Sequence, residues 1–141
     1  MNHAVRAVCL TLIVFAASCQ SSREPAPRAK PRAAVTHVVL CWLKTPEDEV
    51  ARQKLIDTSR TFETIPGVVS VTAGRALPST RPVVDSSFDV AIVITFTDDE
   101  ALRAYDGHPT HVEAVENVLK PIVARFLIYD FEDDAMDVPA R

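Results

Sequence analysis

Two short stretches carry the side chains able to move protons. In AYDGHPTHVEAVE, residues 104–116, Tyr105, His108 and His111 lie around Pro109; in THVVLCWLK, residues 36–44, His37 precedes Cys41 on the same side of an extended chain. An imidazole titrates near neutrality and can take a proton from a carbon next to a carbonyl. A second imidazole or a phenol can donate to the enolate oxygen, and apolar walls strengthen both steps. That chemistry requires no cofactor. The same residues also admit a structural reading, in which His108 caps a helix, His111 hydrogen-bonds to His37 or to a backbone group, and Tyr105 fills core. No metal is assigned, because a catalytic zinc usually takes three protein ligands and the histidines have no Cys partner beyond Cys41 and no fixed carboxylate spacing. Cys41 beside an imidazole could act as a nucleophile, although a lone buried Cys more often behaves as a small hydrophobe.

Positioning these groups is the task of the surrounding elements. THVVLCWLK is apolar at nearly every position and reads as a strand buried on both faces, with His37, Val39, Cys41 and Leu43 on one side and Val38, Leu40 and Trp42 on the other. Thr45 as N-cap, Pro46 at the first helical position and acids in the first turn predict a helix that ends at Pro66-Gly67, with Ala51, Leu55, Ser59 and Phe62 facing inward and Thr58 beside them. VVSVTAGRAL (68–77) and FDVAIVITF (88–96) are the next strands. Thr97 and Glu100 form a capping box for a short helix through Tyr105 that ends at Gly107. His108 precedes Pro109 and is pushed out of helical geometry, so a new helix begins at Pro109, striped by Val112, Val115, Leu119 and Ile122 and kinked near Pro121. FLIYDFE (126–132) is the last strand. The order βαββ(αα)β is an α+β sandwich of the ferredoxin-like type, one four-stranded antiparallel sheet with helices on one face. Val38, Leu40 and Trp42 would be an exposed apolar patch on the other face, which predicts a C2 homodimer packed sheet to sheet.

The first 18 residues are expected to be a lipoprotein signal peptide. Arg6 precedes an apolar run from Ala7 to Ala17 that is shorter than the roughly 20 residues a permanent span needs. AASC resembles a lipobox with Ala16 where Leu is usual, which makes Cys19 the lipidated first residue; ordinary secretion with cleavage nearby is the alternative. Loss of Cys9 and acylation of Cys19 leave Cys41 alone, with no intrachain disulfide. Residues 19–35, rich in Pro and Ala, form a disordered tether, 36–133 the domain and 134–141 a flexible tail. The expected location is the bacterial cell envelope, with the domain held to a membrane only through the lipid; Gln20-Ser21 lacks the Asp that resembles an inner-membrane retention signal. Residues 36–141 contain 10 basic and 18 acidic side chains, a net charge of −8 with His neutral. Such a surface repels phosphate backbones, so nucleic acid is not an expected partner.

THVVLCWLK, IPGV at 65–68, FDVAIVITF, the tyrosine followed by HPTHV, and LIYDF together resemble the Dabb family, the stress-responsive dimeric α/β-barrel domains, over residues 36–132. The resemblance implies a dimeric α/β barrel of two sheets. It leaves activity open, because members range from stress proteins without a settled reaction to a plant cyclase that closes a polyketide ring by aldol condensation. Similarity to that cyclase implies active-site roles for His37, His111 and Tyr105, and it places Thr58, a much shorter side chain, where the cyclase has a second tyrosine. A haem-degrading role, found in related ferredoxin-like barrels, has no supporting residues here. Two functions follow as expectations. One is a membrane-displayed module binding a small apolar or carbonyl-containing molecule; the other is a cofactor-independent lyase or cyclase, with His111 as base and His37 as orienter or donor.

Lipidation is directly testable. Cells given a radioactive fatty acid should label the protein, and label that persists in Cys19→Ser would exclude Cys19 as the attachment point.

Overall fold

The computed structural model describes residues 34–133. Cys19, the export signal, most of the tether and the tail lie outside the described residues. Val35, assigned above to the end of the tether, is instead the buried first residue of a strand.

Strand β1 (Val35–Leu43) alternates strictly between buried and half-buried positions. It is followed by α1 (Glu49–Arg60), a single 3-10 turn (Thr61–Thr64), β2 (Val68–Arg75), β3 (Val90–Phe96), α2 (Asp99–Asp106) and α3 (Pro109–Ala114). From α3 the helical path continues through a π-type segment (Val115–Leu119) and a last turn, α4 (Lys120–Ile122), into β4 (Val123–Glu132). The sheet order is β2-β3-β1-β4 and all three pairings are antiparallel, so the two adjacent central strands are β3 and β1 and the last strand forms an edge. This is the ferredoxin-like α+β arrangement.

Two helix starts differ from the sequence reading for local reasons. Glu47 has φ 62°, a left-handed conformation that cannot continue a helix, so Thr45 and Pro46 belong to a turn and Asp48 caps α1 by accepting from Ala51 N at 2.9 Å. At α2, Asp98 rather than Thr97 is the cap and accepts from Ala101 N at 2.8 Å. Its carboxylate outcompetes the hydroxyl one residue earlier. Gly67 is required where α1's trailing turn meets β2: its φ is +87° and a Cβ there would lie 2.5 Å from Ala101 Cβ.

The core lies between the helices and one sheet face. Val35, Val39, Cys41 and Leu43 of β1 and Val90, Ile92, Ile94 and Phe96 of β3 meet Leu55, Ile56, Phe62, Ile65 and Tyr105 from above. On the other face, Val38, Leu40 and Trp42 are half-buried by their own chain rather than laid bare. Trp42 lies under the Arg125 guanidinium at 3.7 Å and donates to Ser87 Oγ at 3.3 Å. The most exposed apolar side chains on that face belong to β4: Leu127, Tyr129 and Phe131 are 42, 54 and 51 % exposed. At the far end of β4 the chain closes on itself, since Asp133 N donates to Ala34 O at 2.8 Å.

Candidate functional site

Strand alternation sends His37 to the helix-covered side, where it is 7 % exposed. Across the β1–β4 ladder its directly opposed residue is Asp130. His37 Nδ1 donates to Asp130 Oδ1 at 2.6 Å; a carboxylate accepts only, so Nδ1 carries the proton and Nε2 is left as the basic nitrogen. The partner is half-exposed at the sheet edge, 48 % by side chain.

The second imidazole arrives from the helices. His108 adopts extended geometry before Pro109 and caps α3, its Nδ1 accepting from Thr110 N at 3.3 Å, which is the structural role expected of it. His111 then falls in the first turn of α3 and donates from Nδ1 to the Asp106 carbonyl at 3.1 Å, again leaving Nε2 free. Between the two imidazoles stands Tyr105. Its ring lies 4.2 Å from that of His111, tilted by 33°, and 6.1 Å edge-on from that of His37. Phe62 and Phe96 meet the same ring edge-on at 5.6 and 5.0 Å. Burial first, and then the nearby Asp106 charge, push the Tyr105 phenol well above its ordinary value, so it remains a proton-bearing donor.

These rings line one end of a cavity of about 450 Å³. Its walls are β1, β3 and β4 on one side and the helical path from His111 to Lys120 on the other, and most of its lining is apolar. Thr58 and Cys41, expected at the site, do not line it. Thr58 is half-buried on α1 and its carbonyl accepts from Thr61 Oγ1; one turn on, Phe62 reaches the cavity instead. Cys41 is fully buried, and desolvation pushes its thiol up from 9.0 to about 12, which removes it as a nucleophile at ordinary pH. Asp130 is the residue that sequence reasoning missed. Its signal was present, an acid alone among the apolar residues of LIYDF, but its partner depends on register. Among the described residues no group of three or more His, Cys, Asp or Glu is placed to hold a metal ion, and no helix is long and apolar enough to cross a membrane.

A larger, open hollow of about 640 Å³ lies at the other end of β3, lined by Glu47, Glu49, Arg52, Arg75 and Asp89. Its half-buried cation is already engaged, Arg52 with both Glu49 and Asp89. It contains none of the proton-transfer groups.

An antiparallel sheet in the order 2-3-1-4, covered on one face and enclosing a cavity beside its central strand, defines a ferredoxin-like α+β domain. Residues 35–133 match the family model of the Stress responsive A/B Barrel Domain, Dabb, and the chain belongs to that family. A Dabb protein of ferredoxin-like fold from Mesorhizobium loti is 26 % identical, covering 71 % of this chain and 96 % of its own, with a TM-score of 0.58. A dimeric ferredoxin-like protein of unknown function from Thermobifida fusca is 19 % identical over 74 % of this chain and 95 % of its own, TM-score 0.59. The hydroxynitrile lyase of Passiflora edulis has a similar fold at 15 % identity, over 75 % of this chain and 97 % of its own, TM-score 0.63. No curated protein matches the chain.

The buried thiol gives a pH test. Its folded-state value lies above the unfolded one, so its contribution to stability is complete below about pH 9 and is lost as the pH rises toward 12, because the unfolded chain sheds the proton first. Stability against urea should therefore fall above pH 9, and Cys41→Val should flatten that fall by up to about 1.4 kcal/mol per pH unit. Native protein at pH 8 should resist alkylation at Cys41; labelling there at the rate of a free thiol would contradict the burial.

Proposed function

We propose that the domain is a homodimeric small-molecule-binding module, displayed on a membrane surface through lipid at Cys19, whose ligand places a polar group, a carbonyl for preference, between His37, Tyr105 and His111. The observation that carries this reading is the cavity itself. A seam serving only stability would be filled by side chains, whereas about 450 Å³ stands open against all three polar rings. Most of the remaining lining is apolar, which favours a ligand with a substantial hydrocarbon part.

A second reading is supported by the His37–Asp130 pair: cofactor-independent proton transfer of the lyase or cyclase kind. Asp130 holds the ring in one tautomer, with Nε2 as the basic nitrogen, and places its negative charge beside the cation the ring becomes on taking a proton. This makes His37 the better base, the reverse of the division expected from sequence, with Tyr105 donating to the developing oxyanion and His111 orienting the substrate. Lyase activity in the similarly folded Passiflora edulis enzyme is consistent with proton chemistry on this scaffold.

The dimer is supported by the exposed apolar side chains of β4 on the open sheet face and by the dimeric state of the Thermobifida fusca protein. Leu127, directly opposite Leu40 in the ladder, is the better position to test than Trp42, whose loss would also break its contacts with Arg125 and Ser87.

His37→Ala and His111→Ala should each abolish retention of small molecules seen by native mass spectrometry, or any turnover found, while the fold survives a loss of roughly 1–3 kcal/mol. Variants that lose stability but retain ligand would exclude the site. For assembly, Leu127→Asp should give monomer by light scattering at concentrations where the parent is a dimer; an unchanged mass would place the interface elsewhere.

A further inference from the structure

The cavity has two unlike ends, which narrows the ligand class; the argument rests on the ligand-binding reading above. Its long walls run in step. From His37 to Leu43, β1 advances about 20 Å at 3.3 Å per residue, while the helical path from His111 to Lys120 advances about 14 Å at 1.5 Å per residue. The two ends of both walls coincide, because Lys44 N donates to Ile122 O just beyond one end and the rings of His37 and His111 flank Tyr105 at the other. The space is elongated.

Between the ends, the lining side chains are hydrocarbon, among them Val39, Ile92, Val115, Leu119, Phe126 and Ile128. Such a middle offers no partner to the hydroxyls of a sugar or nucleoside, whose desolvation would go uncompensated. Val115 and Leu119 bound the π-type segment, an irregularity that commonly accompanies functional sites, and both face the cavity from it.

The ends differ in charge. At the ring end, Asp106 lines the cavity and Asp130 sits on His37. At the other end stand Lys44 and Lys120. The Lys120 ammonium is paired with Glu116. That of Lys44 donates to the neutral Lys120 carbonyl at 2.7 Å, and among the described residues it has no carboxylate partner. An anionic head group would meet Asp106, with Asp130 behind His37, at one end and, at the other, an ammonium with no carboxylate partner among the described residues, so its orientation is set.

We propose that this cavity takes an extended single-chain aliphatic carboxylic acid, its carboxylate at Lys44 and the far end of its chain at His37, Tyr105 and His111. Hydrocarbon then occupies the apolar middle, and any carbonyl or hydroxyl borne near the far end of the chain reaches the basic Nε2 atoms.

Isothermal titration of the full chain with straight-chain saturated acids from six to sixteen carbons tests this, with the methyl ester of each as control. Affinity should rise about fourfold per methylene until the cavity is full, then level or fall. Lys44 is exposed, so each acid should bind about two- to fivefold more tightly than its ester. Lys44→Met, which keeps the length and apolar surface of the stem, should abolish that preference, and Leu119→Trp should shorten the optimal chain. Equal binding of acid and ester, or a preference that survives Lys44→Met, would overturn the proposal. If no acid binds while the parent still retains a small molecule through His37 and His111, the ligand class falls and the binding reading stands; failure of both removes the site.

Discussion

One polar ring set in an apolar sheet face governs the rest of the site. Alternation along β1 leaves His37 no choice of side, and its neighbours on that side are Val35 and Val39. An imidazole buried there without a partner would cost on the order of 1–3 kcal/mol. Asp130 removes that cost, but only if β4 joins the sheet antiparallel to β1 in the observed register. A slip of one residue would turn Asp130 to the opposite face and bring its apolar neighbours inward. The dyad and the strand order are therefore one constraint. Edge-on contact with Tyr105, and through it with His111, extends the constraint from sheet to helices.

Much of the fold was legible because its signals are local. The first three strands betray themselves by β-branched runs and the last by its aromatic residues, the break at Pro66-Gly67 by composition, and the start of α3 by His108-Pro109, whose geometry follows from proline alone. The misread helix starts were decided by details below the level of pattern: a left-handed Glu47, and a second candidate cap, Asp98, adjacent to the one preferred. Within the site, His37, Tyr105 and His111 could be brought together by alternation and helical phase. Asp130 could not, because an antiparallel partner is identified by register, and register depends on a pairing between residues far apart in the chain. Thr58 failed for a related reason. The helix gives way to a 3-10 turn at Thr61, and that tightening brings Phe62 rather than Thr58 to the cavity.

The edge strand carries two burdens at once. On the covered side, Phe126 and Ile128 wall the cavity; on the open side, Leu127, Tyr129 and Phe131 remain exposed. Period-two alternation lets the same ten residues serve both, with Asp130 as the charged interruption on the cavity side. A substitution in β4 thus has a predictable face.

The bond between Asp133 N and Ala34 O makes the first and last described residues of the domain neighbours, at the open end of the β1–β4 pair. A pull applied between them would load the ladder in a peeling geometry. Its bonds would break in succession, beginning beside His37 and Asp130, instead of sharing the load as they would if the ends lay at opposite tips of the sheet. Mechanically this is a weak direction, and the first thing surrendered along it would be the cavity wall that holds the dyad.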